Sequence, residues 1–490
     1  MAVFSDTVFP ERFIQELSED NYWWSRGTLK QDPPLFKRSD LRHYIEGIEK
    51  GRVDVVIGAR RVGKTTLISQ IIEHLLKVKK VDPRTIFFVS LERPYLELTQ
   101  QKLETAISFY EDRVLGMSIA DSSKLIYLFI DEAQYDKSWP RTLKQFVDQK
   151  RPIYALVSGS SSTAVFRDSE SGVGRFNVHH MVTMKLRDTL RFAHMEDSDF
   201  IYETSYALRN ALICMCRTKN SRAYEKAVSE AVASPLSRSF SSGMEDYLLK
   251  GGYPEFYATE HSWPEISLYY QQNVFDLILQ KDVVNEFPIK YPDKIRALLV
   301  TIVSNTAFKL TRKKLTESIG LTNARTVDEY VDALCQAFLI RVSAAFKARG
   351  YPSTKEKKFY AADTGLRNAV LGVRKENISH AERGQLLETA IFNHALRLAF
   401  HVDHKLRTSG HYWEVSKAEE RDIILDFRDS FGFVLPIEVK NGRAGDEDIR
   451  RIRGTTSRLG SPFGIIICEG KVGAVGNVLL LPAWAFMLSC

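Results

Sequence analysis

The stretch GARRVGKT at 58–65 has the spacing G-x-x-x-x-G-K-T. Glycines at the ends of such a turn let backbone N–H groups converge on phosphate oxygens at the positive end of the following helix. Gly58, Ala59, Arg60, Arg61, Val62, Gly63, Lys64, Thr65 and Thr66 are therefore candidates to cradle ATP. Lys64 would reach the β- and γ-phosphates, and Thr65 would put its hydroxyl on Mg2+. The complement is an acid at the end of a buried strand, and LIYLFIDEAQ supplies two. Asp131 is expected to hold magnesium through water, and Glu132 to polarise the attacking water, which favours hydrolysis over simple binding. The run VSGSSS offers Ser160 as a γ-phosphate contact or as a plain loop serine. Arg175 in GVGRF is a candidate arginine finger acting across a subunit boundary. A surface or salt-bridged arginine is the alternative, and Arg167 competes for the role.

A second group of charged residues lies toward the C-terminus. Glu388 falls mid-helix on an otherwise apolar face, with Glu382 a competing choice, and Asp422 begins the strand-like run RDIILDF. Glu438 and Lys440 in LPIEVK are two apart, so they share one face of a strand. Three such acids could hold one or two magnesium ions that generate hydroxide, with Lys440 orienting water or neutralising a phosphate. His179 and His180 are adjacent on a predicted strand and point apart, and His401 with His404 lacks a third ligand, so solvated or packed histidines are expected.

These residues need elements to position them. Residues 1–50 read as an N-terminal helical segment with an aromatic patch at Tyr22, Trp23 and Trp24. From 51 to 190 the apolar runs Val53–Ile57, Ile86–Ser90, Leu125–Ile130 and Ile153–Val157 alternate with helical periodicity. That pattern predicts a parallel sheet covered on both faces. Residues 191–295 read as a helical lid with a turn at GGYPEF, 296–350 as three helices and a β-wing, and 351–490 as a second α/β domain.

Composition bounds the rest. The chain has 490 residues, 44% hydrophobic and 26% charged, which argues against wholesale disorder. Lys and Arg number 68 against 61 acids, a net charge of +7 that permits a polyanionic partner without demanding one. Five cysteines make no disulfide framework, and a reduced, cytoplasmic setting is expected. The opening MAVFSDTVFPERF carries an acid and a proline where a secretory leader needs an apolar core. The uncharged stretch Val472–Cys490 is long enough to span a bilayer, but its glycines and Pro482 favour a final core strand and a docked helix, and no membrane partner is expected.

Taken in order, GARRVGKT, FIDEAQ, SGSSS, the GR pair, GGYPE, KFYAADTGLRNAV, GQLLETAIFNHAL and LPIEVKNG resemble the AAA+-type P-loop ATPases of archaea and bacteria that carry a C-terminal restriction-endonuclease-like domain. The resemblance covers roughly residues 40–490. It implies an α/β chain made of an ATPase core, a helical lid, a winged-helix segment and a domain similar to the PD-(D/E)xK nucleases, which in such proteins can bind nucleic acid without cutting it. Within the winged-helix segment, Arg312, Lys313 and Lys314 suit phosphate contacts, and Arg325 and Thr326 would face outward on a helix able to enter the major groove. The resulting expectation is an oligomeric ATPase acting on branched or duplex DNA. The alternative is a regulatory nucleotide switch whose C-terminal domain docks proteins.

Overall fold

The computed structural model describes residues 9–48, 52–96, 101–160, 175–258, 262–284, 287, 289–347, 356–403, 410–414, 420–470 and 472–490. Arg167 and His404 lie outside the described residues. The chain forms two compact units, Met1–Val182 and Thr183–Cys490.

The first unit is built on five parallel strands: β1 (Val53–Ile57), β2 (Ile86–Ser90), β3 (Ile126–Asp131), β4 (Ile153–Gly159) and β5 (Phe176–His180), in the order β2-β3-β4-β1-β5. The central strands are near-continuous apolar runs, as burial on both faces requires. Asp54 on β1 is the exception, and it is fully buried. It accepts hydrogen bonds from Arg52 Nε at 2.9 Å and Tyr154 Oη at 3.3 Å, and stands 3.0 Å from His179 Nε2. Burial pushes its carboxyl up, and the His179 bond with the charges of His179 and Arg52 more than reverses this, so its pKa lies below the ordinary value. His179 therefore belongs to a structural ion network. The aromatic patch is structural too. The indole N–H groups of Trp23 and Trp24 donate to Ile86 O at 3.0 and 2.7 Å, and Asn21 exchanges hydrogen bonds with the backbone of Phe88. These bonds satisfy the open edge of β2, which would otherwise template pairing with another chain.

The second unit carries a nine-stranded sheet. Its strands are β6 (Phe308–Thr311), β7 (Ile340–Ala345), β8 (Glu356–Ala361), β9 (His411–Glu414), β10 (Glu420–Phe427), β11 (Phe433–Val439), β12 (Gly464–Ile467), β13 (Gly473–Val475) and β14 (Val478–Leu481). Their order is β13-β14-β12-β11-β10-β9-β7-β8-β6. Strands β6 to β8, which accompany the helices Pro292–Ser304, Arg312–Ser318 and Ala324–Gln336, thus share a sheet with the strands that follow them. The helices between 186 and 250 and the final helix Ala483–Ser489 bury their apolar faces in one core with the long helix His380–Asp403. Here the uncharged C-terminal stretch finds its reason: Ser205 Oγ donates to Leu488 O at 2.6 Å, and Tyr224 Oη meets Ser489 Oγ at 2.8 Å. Among the described residues no helix is long and apolar enough to cross a membrane.

Asp363 ties this unit together locally. Fully buried, it caps the helix Thr364–Val370 through Leu366 N at 3.1 Å, accepts Gly252 N at 2.8 Å, and is met by Tyr270 Oη at 3.3 Å. The GGYPEF turn is thereby fixed to the AADTGL segment. Asp363→Ala would orphan a buried backbone donor and remove a helix cap, so we expect a loss of about 2–4 kcal/mol. Thermal melting read through a probe in the second unit would show it, and an unchanged midpoint would remove Asp363 as a linchpin.

Candidate functional site

Strand β1 delivers the chain into the glycine-rich turn and on into the helix Lys64–Glu73. Gly63, at φ 102°, occupies a region that side-chain-bearing residues avoid. At Gly58 a Cβ would lie 1.9 Å from Met181 O, so only glycine fits. Lys64 is buried, its ammonium donating to Gly58 O at 2.8 Å and Ala59 O at 3.0 Å. The turn is further pinned by Arg38, whose guanidinium donates to Val62 O and Val182 O, both at 3.0 Å. Arg60 approaches Tyr135 Oη at 3.4 Å, Arg61 is exposed with a left-handed backbone, and Thr66 is half-buried.

The acidic strand end lies beside this turn. Thr65 Oγ1 donates to Asp131 Oδ2 at 2.7 Å, while Ser158 Oγ, from the intervening strand β4, donates to Asp131 Oδ1. Glu132 holds φ 52°, ψ 49°. A non-glycine residue in that region costs on the order of 1–3 kcal/mol and is kept where position matters. Burial pushes the Glu132 carboxyl above its ordinary value, with the nearby Asp131 charge adding to it and Lys64 offsetting part. A raised carboxyl accepts a proton more readily, which suits a base near neutral pH. Gln134, which the sequence did not single out, donates to Glu132 and to Ser160 Oγ at 2.9 Å, and receives Ser160 N at 3.3 Å. Ser160 is therefore coupled to Glu132 through one amide side chain. Arg175 is engaged within its own chain, its Nε 2.6 Å from Asp148 Oδ1.

In the second unit the expected acids converge, but around a lysine. In the β10–β11 register Ile423 faces Ile437, which places Asp422 opposite Glu438. Glu388 comes from the helix His380–Asp403. Lys358 on β8, with a side chain only 4% exposed, puts its ammonium 2.6 Å from Glu388 Oε1, 3.3 Å from Glu420 Oε1 and 3.4 Å from Asp422 Oδ1. Tyr360 Oη donates to Glu388 at 2.9 Å, and Val439 N to Asp422 Oδ2 at 2.8 Å. Lys440 bridges Glu438 at 2.9 Å and Asp448 at 3.1 Å. Among the described residues no three His, Cys, Asp or Glu side chains form a group able to hold a metal ion. Of the acids expected to hold magnesium, Glu388 and Asp422 sit against Lys358, and Glu438 faces Lys440. Lys358 sits just ahead of the FYAADTG run and Glu420 two residues before Asp422, and only the fold brings them together.

The residues expected to face DNA lie on two helices. Arg325 and Lys313 are well exposed, pairing with Glu329 and Glu317 one helical turn away, and Arg312 pairs with Asp328 at 3.1 Å. Lys314 is exposed, whereas Thr326, expected to face outward, is half-buried.

A glycine-rich turn holding a buried lysine, with an acidic strand end beside it, defines a P-loop ATPase domain. Residues 50–190 match the AAA domain family. Residues 241–377 match a domain of unknown function (DUF8612), a span that contains both sides of the Asp363 network. The chain is similar to the uncharacterized protein MJ1637 of Methanocaldococcus jannaschii, 24% identical over 453 residues, covering 91% of this chain and 86% of that one. Among solved structures, the Orc1 protein of Aeropyrum pernix in complex with DNA overlaps 71% of this chain and 96% of its own at 9% identity and a TM-score of 0.29. An overlap that loose defines neither a shared fold nor a shared ligand.

The lysine-centred cluster sets a pH dependence. Burial, reinforced by the Asp422 charge, holds Glu388 up to about 8, with Lys358 and Tyr360 offsetting part, and burial likewise raises Glu438. Unfolded glutamate titrates near 4.3, so between roughly pH 4.5 and 8 the fold keeps a proton that the unfolded chain has lost. That stability is fully present at the acidic end and is lost as pH rises through 8. We expect the unfolding midpoint of the second unit to fall from pH 6 to 9, and Glu388→Gln to flatten the fall. An equal slope in the variant would remove Glu388 as its source.

Proposed function

We propose that the chain hydrolyses ATP in its first unit and uses the cycle to act on DNA through the second. The observation that carries this reading is the juxtaposition of a buried Lys64, Thr65 and Asp131 at 2.7 Å, and Glu132 held in a left-handed backbone. Thr65 and Asp131 would hold the magnesium, which supplies positive charge to neutralise the phosphates during transfer. Lys64 exchanges its two backbone carbonyl partners for β- and γ-phosphate oxygens. The N–H groups from Gly58 to Thr66 bind the remaining oxygens, aided by the helix dipole. Glu132 orients the attacking water and takes its proton, and Gln134 relays the position of Ser160 to Glu132.

The reading also places copies of the chain side by side. The exposed Arg175–Asp148 pair is of a kind worth less than about 1 kcal/mol, so Arg175 can exchange Asp148 for a phosphate in a neighbouring copy. Support for DNA as the partner comes from the net charge of +7 and from exposed Lys313, Lys314 and Arg325 on the helices Arg312–Ser318 and Ala324–Gln336. A winged-helix role for these helices, and a nuclease-like role for the sheet beyond them, are part of the same proposal. With Lys358 among the carboxylates, the C-terminal part holds DNA without cutting it.

Lys64→Ala should abolish ATP turnover, and Glu132→Gln should lower it by 10² or more while preserving nucleotide binding. Lys440→Ala should leave turnover unchanged. A phosphate-release assay with a nucleotide-binding measurement checks all three. Turnover retained in Lys64→Ala would overturn the phosphate-site assignment. DNA that neither binds nor stimulates turnover would favour a nucleotide switch acting on proteins.

A further inference from the structure

A cavity of about 490 Å³ opens in the second unit between β9, β10 and the helix Asp446–Leu459. Arg421, Arg450, Arg451 and Arg458 line it with Trp413, and among the described residues Glu447 is the one carboxylate in the lining. The helix residues recur at spacings of about four, so a single face supplies Arg450, Arg451, Gly454, Thr455 and Arg458. Gly454 is the telling position. It lies mid-helix, where glycine costs about 0.5–1 kcal/mol relative to alanine, yet a Cβ there would meet no atom within 4 Å. Among the described residues none crowds that position, and its absent side chain deepens the cavity floor between the arginines. Arg421, buried at the back, donates from Nε to Thr455 Oγ1 at 2.8 Å and stands 3.9 Å from Glu438 Oε2. That oxygen is buried and has no hydrogen-bond partner. The cavity and the carboxylate cluster are thus joined by one guanidinium.

We propose that this cavity binds the phosphodiester backbone of a nucleic-acid strand. Guanidinium groups present paired donors that match phosphate oxygens, and the lining gathers four of them, of which Arg451 pairs with Glu447 and Arg421 faces Glu438. Trp413, largely buried, closes the apolar side of the cavity. A stretch of strand, unlike a single small anion, fits both the volume and the spread of arginines over two turns of helix. The proposal rests on the reading that the chain acts on DNA, and it moves the main contact from Arg312–Thr326 to this cavity. On the two helices that carry those residues the four cations, Arg312, Lys313, Lys314 and Arg325, pair with or neighbour the acids Glu317, Asp328 and Glu329.

The test uses the full chain without ATP and a fluorescently labelled DNA strand, alone and as duplex, titrated over a range of salt. Two variants are compared. Arg450→Gln with Arg458→Gln removes charge, and Gly454→Leu fills the floor while improving helix propensity, so folding is preserved. The double variant should lose about tenfold or more in affinity near 0.1 M salt, and its plot of log affinity against log salt should be shallower by about two. Gly454→Leu should weaken binding comparably with little change in slope. Basal ATP turnover should be unchanged in both. If the wild type binds DNA and both variants match it, the cavity is not the site while the DNA reading stands. If the wild type binds no DNA even at low salt, both fall. Competition by inorganic phosphate as effective as unlabelled strand, phosphate for phosphate, would overturn a strand as the ligand.

Discussion

A charge taken out of water must be answered by another charge or by a set of dipoles, and both units are arranged around such answers. Asp54 is answered by Arg52, Tyr154 and His179, Asp363 by the backbone of Gly252 and Leu366, and Lys358 by the carboxyl groups of Glu388, Glu420 and Asp422. Lys64 donates to the carbonyls of Gly58 and Ala59 within the glycine-rich turn, and its charge also acts on the buried Glu132 carboxyl.

Much of the first unit was legible in the sequence because its signals are local. Most of its strands are largely apolar runs, and the glycine-rich turn, its lysine and its threonine fall within eight residues. The Asp131–Glu132 pair follows β3 directly. What could not be read was anything joining distant segments. Gln134 gains meaning only once β3 and β4 lie side by side, and Arg38 only when its loop folds over the turn. Arg175 sits in a suggestive GR pair, yet its partner Asp148 closes a different helix.

The second unit was legible in its elements and less so in its chemistry. Glu438 and Lys440 stood out because strand alternation puts alternate residues on one face, and Glu388 because it breaks an apolar helix face. Lys358 did not, since nothing local marks a lysine ahead of an aromatic pair as buried among acids. The segmentation into lid, wing and nuclease-like parts follows the sequence texture, whereas the sheet runs unbroken from β6 to β13.

The burial of the C-terminal stretch has a temporal consequence. The helices Leu186–Ala193, Ser198–Thr218 and Arg222–Ala233 share their core with Leu479, Leu481 and Ala483–Cys490, nearly three hundred positions later in the chain. As a ribosome delivers residues one by one, the first unit has everything it needs once Val182 has emerged. The early helices of the second must wait, apolar faces exposed, until the last strand and helix arrive. At roughly 5–20 residues per second that wait lasts tens of seconds. Nascent chains stalled before residue 478 should therefore be the form that chaperones hold, with a finished nucleotide domain tethered to an open one.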